Sequence, residues 1–385
     1  MSLYIIAALV LAVSAVLAFT TPHIDRLLYY CCLVFISGML IFRYGQGTDW
    51  LGYNHIFNLA PTTLDLSSFF YSDKVHSEIG WKIICNVFRM TGSSFVQLVL
   101  TVSLVELFFL NRFIRRWSSC WTLSLLLAYP TLYLTYFFSS LREGLVLAIF
   151  LGLLLEWLFN GKDIPYIIAI LLLSSIHSVS LIALPLVLVK RLPIRNISTE
   201  LAISLALGVL GLFIFRLGSA FSAINAYASI GFSPVSLATR VGTALVVWLA
   251  WRASSDKDAS EDGFLLHVFC YGMCVYFVLM ANGLVASRSA ILCLALDIVL
   301  MPRLFSENPK AAMFLFLAMI ALVFVMTLKN VNAYISQGPY VTGISVLNYP
   351  YISIFRPLDL YRYSQNRYLI YLSPPTDVGL GLLFS

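Results

Sequence analysis

The sequence predicts an all-α polytopic membrane protein with about 12 transmembrane or half-membrane helices. Apolar residues make up 60% of the chain and charged residues only 11%, whereas soluble chains carry about 25% charged residues. The mean hydropathy is +0.90. Apolar runs long enough to cross or enter a bilayer follow one another between polar connections. The net charge of +6 is scattered between these runs, so it does not indicate nucleic-acid binding.

The predicted helices follow the apolar runs in chain order. The first run has no Lys or Arg before it, so we expect a retained helix and not a cleaved signal peptide. The predicted segments are residues 3–19, 27–42, 93–110, 121–137, 143–159, 164–176, 178–189, 200–216, 237–251, 264–282, 289–302 and 311–328. They form one predicted transmembrane domain, residues 1–328, followed by a tyrosine-rich tail, residues 329–385.

The long apolar run 164–189 permits two arrangements. A single helix would place Lys162 and the basic cluster at 190–195 on opposite sides of the bilayer. Two short legs that turn near His177 place both on one side, and each leg would then span only ~20 Å. Cytoplasmic connections are enriched in Lys and Arg, so the hairpin gives the more consistent topology.

With this hairpin, most basic residues of the connections lie on one side, which is therefore predicted to be cytoplasmic. The connection 43–92 and the tail 329–385 then lie on the outer side. Basic residues are few in the other outer connections: Arg142, Arg216, Arg240 and Arg288.

An unusual group of polar and aromatic residues follows the second apolar run, on the outer side. The sequence FRYGQGTDWLGYNHIF, residues 42–57, contains two glycines that predict a sharp turn. A carboxylate on this turn suits general base catalysis on a sugar hydroxyl, and aromatic rings suit sugar faces. We predict Asp49 as the base, Arg43 as a pyrophosphate ligand, and Trp50 and Tyr53 as sugar ligands.

Four further outer-face residues complete the predicted site. Arg142 and Arg288 lie between apolar runs with almost no loop around them. One planar guanidinium group can bind two pyrophosphate oxygens at once. Glu78 and His177 are the second and third choices for the base. Structural roles are the alternatives: arginines can anchor helix ends, carboxylates can cap helices, and a histidine can be a hydrogen-bonded core residue.

Other titratable residues receive structural interpretations. The spacing of the seven cysteines does not indicate a set of disulfide bonds, and we interpret them as apolar packing residues. Residues 256–258, DKD, match the pattern of a D-x-D metal-binding motif. They belong to a charged loop, so we interpret them as solvated charges and not as a metal site. Glu106 and Glu156 are expected to snorkel at cytoplasmic helix ends, and Asp297 to form an interhelical hydrogen bond.

Six short motifs occur in order along the chain. They are R-Y-G-x-G-T-D-x-x-x-Y from Arg43, SEIGW at 77–81, SSLREGL at 139–145, SSIHSVSLIALPL at 174–186, ASRSAILCLALDIVLMP at 286–302 and NYPYISIF at 348–355. Together they resemble the EpsG-like branch of the Wzy polysaccharide (O-antigen) polymerases, from about residue 40 to 355. Two positions depart from that branch: Glu143 replaces a neutral amide, and Ser289 and Ala290 follow Arg288 where a tyrosine is expected.

The resemblance implies a GT-C-like glycosyltransferase of the bacterial cytoplasmic (inner) membrane whose active site faces the periplasm. Such an enzyme transfers the growing glycan from undecaprenyl pyrophosphate to a new lipid-linked repeat unit, without a nucleotide sugar, metal or other cofactor. Its partners would be the lipid-linked oligosaccharide and the bilayer, with a chain-length regulator and a flippase of the same pathway.

Two other functions remain open at this point. A flippase or other transporter would place its polar groups near the bilayer midplane, often in repeated halves. Here the unusual polar residues lie towards one side, and no repeat is apparent. An O-antigen ligase would use the same donor with lipid A core as the acceptor. The product, whether O-antigen, capsule or exopolysaccharide, also remains open.

Overall fold

The computed structural model describes residues 1–63, 77–191, 197–218, 234–253, 260–307, 309–337 and 343–363. Within these ranges the chain is almost entirely helical, and the only extended pairing is an isolated bridge between Arg43 and Ser353. The predicted all-α class is confirmed. Three sequence features lie outside the described residues: part of the 43–92 connection, the DKD residues 256–258, and the tail beyond residue 363.

The helices are numbered here in chain order. The α-helices are α1 Leu3–Thr20, α2 Asp25–Ile41, α3 Trp50–Leu59, α4 Ile79–Met90, α5 Phe95–Trp117, α6 Trp121–Ala128, α7 Leu141–Ile149, α8 Leu155–Phe159, α9 Asp163–Ser174, α10 Leu186–Val189, α11 Ile197–Gly218, α12 Pro234–Ala253, α13 Ser260–Leu279, α14 Gly283–Leu294, α15 Asp297–Glu307, α16 Pro309–Gln337 and α17 Asp359–Tyr363. Residues Tyr129–Phe137 and Phe150–Leu154 form π-helical turns, and Pro22–Ile24 and Ser178–Ala183 form 3-10 turns.

Five helical segments of the described chain are long and apolar enough to cross a membrane. They lie in α1, α2, α5, α13 and α16. Helices α14 and α15 pass the same test together as one span with a 49° bend. Every predicted segment overlaps helical residues, but the count of about 12 membrane segments and the GT-C-like arrangement remain predictions.

The hairpin near His177 is confirmed by contacts between its two legs. The hydroxyl of Tyr166 donates to the carbonyl of Ala183 at 2.7 Å, and Ser180 donates to Ile170 at 3.2 Å. In one continuous helix, Tyr166 and Ala183 would lie roughly 25 Å apart at 1.5 Å per residue. The chain therefore reverses at residues 175–177, and the turn presents the imidazole of His177 beside α4.

Two glycines, one in α7 and one in the π-helical turn Phe150–Leu154 that follows it, allow this part of the chain to approach α5 closely. A Cβ atom at Gly144 would overlap the carboxylate of Glu106, and one at Gly152 would lie 2.6 Å from the carbonyl oxygen of Phe109. Small residues let helix backbones approach each other in this way. The contact fixes the beginning of α7, which carries Arg142 and Glu143.

The expected snorkelling of Glu106 is wrong. Its side chain is fully buried and neither oxygen has a hydrogen-bond partner in the described part of the chain. The buried guanidinium of Arg43 interacts electrostatically with this carboxylate. Glu156 is partly exposed and pairs with Arg112 at 2.7 Å, as expected for a residue at a helix surface.

The described part of the tail packs onto the glycine turn. Tyr44 N–H donates to Ile352 at 2.9 Å, and Ile354 N–H donates to Phe42 at 2.9 Å. The side chain of Gln46 donates to Pro350 at 2.7 Å. Helix α16 also continues to Gln337, across the predicted boundary at residues 328 and 329. The segment 343–363 therefore supports the turn that carries Asp49.

Candidate functional site

The glycine turn before α3 has the backbone conformation that the sequence predicted. Gly45 has a φ angle of +65° and Gly47 a φ angle of +102°, both in the region that glycine tolerates best. A Cβ atom at Gly47 would also overlap the carbonyl oxygen of Phe138. The turn therefore lies directly against residues 138–140, and this contact brings Asp49 beside Ser140.

Substituting Gly47 by alanine is expected to destabilise the protein more than the same change at Gly92. Gly92 also has a positive φ angle, +73°, but a Cβ atom there would meet nothing within 4 Å. Gly92→Ala carries only the backbone cost of roughly 1–2 kcal/mol, whereas Gly47→Ala adds the overlap with Phe138. The measurement is the thermal melting of both purified variants in detergent; equal melting temperatures would contradict a close contact at Gly47.

Arg43 does not reach an open surface. Its side chain is buried, with 1% of the residue exposed. The guanidinium donates to the carbonyl of Phe137 and the hydroxyl of Ser103, both at 3.0 Å, and to the carbonyl of Leu40. These bonds join the end of α2, the middle of α5 and the segment before α7. The geometry gives Arg43 a positioning role and does not favour the predicted pyrophosphate contact.

Trp50 and Tyr53 are also buried, and their rings face other side chains. Trp50 packs against Phe95 with a centroid distance of 5.1 Å, and Tyr53 packs against Trp81 at 5.6 Å. The guanidinium of Arg142 lies 5.7 Å from the ring centre of Tyr53. Neither ring presents an open face to a sugar, so the predicted sugar stacking is not favoured. Their packing holds α3 and the side chain of Arg142 in place.

Six charged or titratable side chains from five separate segments lie together. We call them the charge cluster: Asp49, Glu78, Arg142, Glu143, His177 and Arg288. At one end, Glu78 pairs with Arg142 and accepts a 2.9 Å hydrogen bond from His177 Nδ1. Glu78 also accepts from the backbone N–H of Ser178 at 3.2 Å. Gly80 lets α4 approach the hairpin, because a Cβ atom there would overlap Ser175.

Glu143 lies at the centre of the charge cluster. Its Oε2 atom is 3.7 Å from Nε2 of His177 and 3.8 Å from Nε of Arg288. Both distances exceed a hydrogen bond, and both carboxylate oxygens of Glu143 lack a hydrogen-bond partner among the described residues. Sequence reasoning treated Glu143 only as a departure from a motif. The sequence signal that could have identified Glu143 as a site residue was its acidic side chain directly after Arg142.

Asp49 occupies the other end of the charge cluster. Its carboxylate accepts hydrogen bonds from the hydroxyls of Thr48 at 3.0 Å and Ser140 at 3.1 Å, and lies 3.9 Å from Arg288. Asp49 and Glu78 stand at the N-caps of α3 and α4, but neither side chain caps its helix. The capping alternative is therefore wrong for both carboxylates.

A polar cavity of about 390 Å³ adjoins Asp49, and we call it the polar cavity. Two residues that line it, Thr48 and Ser140, donate to the Asp49 carboxylate. Arg288 and Lys329 also line it, with no acidic residue among the described lining. Sequence reasoning passed over Lys329, although it follows the last apolar run on the side where basic residues are few.

The EpsG family model matches residues 26–353. The chain belongs to the EpsG family. The predicted resemblance is therefore confirmed, and every residue of the charge cluster lies inside the matched range. No curated protein and no solved structure matches the chain.

In this EpsG-family chain the carboxylate of Glu78 has strong hydrogen-bonding and charged partners. Burial raises the pKa of Glu78, but the hydrogen bond from His177, the backbone donors and the charge of Arg142 outweigh it and lower the pKa to about 2. A carboxylate with so low a pKa is a poor proton acceptor. Asp49 accepts from two neutral hydroxyls, and its nearest cation is 3.9 Å away. These contacts favour Asp49 over Glu78 as the base.

His177 of this EpsG-family chain is poised to carry a positive charge. Burial lowers the pKa of His177, but the nearby negative carboxylate of Glu143 and the hydrogen-bonded carboxylate of Glu78 raise it above its ordinary value of 6.5. A protonated His177 completes an alternation of positive and negative groups from Arg142 to Asp49. A protonated His177 is a poor general base. Its positive charge lies between the negative carboxylates of Glu78 and Glu143.

We expect the stability of the wild-type protein to fall as the pH rises from below 6.5 through the raised pKa of His177. A raised folded-state pKa contributes stability that is complete below the unfolded pKa and is lost above the folded one. Melting temperatures measured across this pH range should fall less steeply for His177→Gln. Glu143→Gln, which removes one of the charges that raise this pKa, should shift the loss to lower pH. Identical pH profiles for all three proteins would contradict the ion pairing.

Within the described ranges, no three His, Cys, Asp or Glu side chains are arranged to hold a metal ion. The positive charges beside the polar cavity come from Arg288 and Lys329. The arrangement can therefore bind an anion through side-chain cations while a neighbouring carboxylate accepts a proton.

Proposed function

We propose that this EpsG-family chain polymerises lipid-linked oligosaccharide repeat units at the periplasmic face of the bacterial cytoplasmic membrane. A hydroxyl of the new repeat unit attacks the anomeric carbon of the growing glycan. The bond from that carbon to the pyrophosphate oxygen breaks, and its electron pair leaves with undecaprenyl pyrophosphate. The hydroxyl proton moves to a carboxylate of the enzyme and then to solvent.

One observation carries the proposal beyond family membership: a carboxylate and a guanidinium lie together beside the polar cavity. Asp49 Oδ2 is 3.9 Å from Nη2 of Arg288, and Arg288 lines the cavity. Transfer from a pyrophosphate needs a proton acceptor near the attacking hydroxyl and a cation near the leaving group. The Asp49–Arg288 pair supplies one of each.

Arg288 is the better placed of the two predicted pyrophosphate ligands. Its contacts with Glu143 and Asp49 are 3.8 and 3.9 Å long, so they leave its N–H donors open to a bound anion. Arg142 is already paired with Glu78 and packs over Tyr53. We propose that Arg288 contacts the pyrophosphate first, and that Arg142 joins only if the substrate displaces Glu78.

The assay that tests the function uses the purified full-length protein in lipid nanodiscs with one synthetic lipid-linked repeat unit and no other protein. A polymerase gives a ladder of glycans that remain attached to lipid pyrophosphate. A transporter would not lengthen the glycan. A ligase would form product only after lipid A core is added. Either of these last two results would overturn the proposal.

The orientation in the membrane has its own test, in a variant from which the seven native cysteines have been removed. Thr62 and Ser119 are both exposed side chains of the described chain. A cysteine at Thr62, in the predicted outer connection, should react with a membrane-impermeant thiol reagent in intact spheroplasts, because that connection faces the periplasm. A cysteine at Ser119 should react only after lysis. The reverse pattern would place the charge cluster at the cytoplasmic side.

A further inference from the structure

Lys329 of α16 supplies a second cation to the lining of the polar cavity, in addition to Arg288. Both side chains line the cavity, and they come from different helices, α16 and α14. The ammonium group of Lys329 has no ion pair or hydrogen bond with any described residue. Lys329 is an exposed residue of the described chain that also lines the cavity, so its ammonium group is accessible to a ligand there. The location of Lys329 therefore points to an anion that binds in the cavity.

The remaining lining supplies neutral hydrogen-bonding groups and no competing anion. Hydroxyl groups of Thr135, Ser139 and Ser287 line the cavity, and none of its described lining residues is acidic. Thr135 and Ser139 donate to the backbone carbonyls of Pro130 and Leu134, so each would have to exchange that bond to donate to a bound anion. Hydroxyl groups can donate to phosphate oxygens without adding charge. Two cations and several hydroxyls around about 390 Å³ match a doubly charged anion better than a single carboxylate.

The position of α16 favours an anion that is carried by a membrane lipid. The apolar window of Leu315–Gln337 is only 28% buried, the lowest value among the five candidate spans. Among the five candidate spans, this helix is therefore the one that the rest of the described chain covers least. A lipid that packed against this uncovered helix would bring its headgroup towards Lys329.

We infer that Lys329 and Arg288 together bind the pyrophosphate of a polyprenyl-linked substrate in the polar cavity. This inference rests on the proposed function, since lipid pyrophosphate is the leaving group there. It adds Lys329 as a ligand and places the pyrophosphate between α14 and α16, away from the Glu78–Arg142 pair.

The test measures direct binding, so it does not depend on polymer formation. The probes are farnesyl pyrophosphate, farnesyl monophosphate and the phosphate-free repeat oligosaccharide, each titrated against the full chain in detergent. The variants are Lys329→Met, which removes the charge, and Lys329→Arg, which keeps it. Lys162→Met is the matched control, because Lys162 is an exposed lysine at the beginning of α9, remote in sequence from the cavity-lining segments.

Lys329→Met should weaken farnesyl pyrophosphate binding at least about tenfold, while Lys329→Arg and Lys162→Met bind it nearly as the wild type does. The loss should be smaller for the monophosphate and absent for the phosphate-free oligosaccharide. Unchanged pyrophosphate binding by Lys329→Met would overturn the inference. Equal losses of pyrophosphate binding in the Met and Arg variants, together with a lowered melting temperature, would also overturn it. A loss of binding confined to the oligosaccharide would overturn it as well, because the bound anion would then belong to the glycan.

The two proposals fail in different ways. If the wild-type protein makes no polymer but binds farnesyl pyrophosphate through Lys329, the polymerase function is wrong and the binding site stands. If it makes polymer and Lys329→Met binds the pyrophosphate normally, the function stands and the assignment of Lys329 is wrong.

Discussion

Replacing Asp49 by asparagine should lower glycosyl transfer at least ~10²-fold while substrate binding is retained. Asparagine keeps the size of the side chain and a carbonyl oxygen that can accept from Thr48 or Ser140. It removes the negative charge and the basicity that the attacking hydroxyl needs. The measurement is the initial rate of chain extension in nanodiscs, without added metal, together with binding of the lipid-linked repeat unit.

Asp163→Asn is the matched control for this experiment. Asp163 pairs with Lys190 and Arg191 outside the charge cluster, so its substitution should leave the transfer rate nearly unchanged. Near-normal transfer by Asp49→Asn, together with an inactive Glu78→Gln, would move the base to Glu78. The residues GTDW would then form only a structural turn.

Replacing Arg288 by alanine should abolish long-chain polymer, with a loss in rate of at least about 100-fold. The guanidinium neutralises the charge that develops on the leaving pyrophosphate, and its planar fork contacts two oxygens at once. Arg288→Lys keeps one positive charge but loses the fork, so it should restore little polymer. Polymer length is read from gels of the lipid-linked product, and membrane insertion is checked by fractionation.

Arg112→Ala is a closely matched control. The side chains of Arg112 and Arg288 are 43% and 42% exposed, and both lie near a glutamate. Arg112 belongs to the predicted cytoplasmic end of α5, so the alanine variant should still make full-length polymer. Full-length polymer from Arg288→Lys would show that a point charge suffices and that bidentate recognition is the wrong account.

Much of the fold could be predicted because it depends on local properties of the chain. Apolar runs must satisfy their backbone groups internally in a bilayer, and helices do so within one segment. Every predicted segment accordingly overlaps helical residues. The turn at Gly45 and Gly47 was also predictable, because few other residues accept a positive φ angle. The reversal at His177 followed from the placement of basic residues on either side of it.

The roles of side chains could be predicted only in part. Asp49, Glu78, Arg142, His177 and Arg288 do come together, as their shared position on one predicted side of the membrane suggested. Burial separated Arg43, Trp50 and Tyr53 from the polar cavity, although they are neighbours of Asp49 in sequence. A short polar segment does not reveal which of its side chains face inwards, since this depends on the helices that pack against it.

The sequence alone thus determined the membrane class, the helical segments, the glycine turn and the family to which the chain belongs. Only the tertiary structure joined Arg43 to Ser103 and Phe137, placed Glu143 between His177 and Arg288, and brought Lys329 to the same cavity as Arg288. Helix formation and turn geometry depend on residues a few positions apart, which the sequence displays. The energies of buried charges depend on partners tens to hundreds of residues away, and only the packing of α5, α7, α14 and α16 brings those partners within reach.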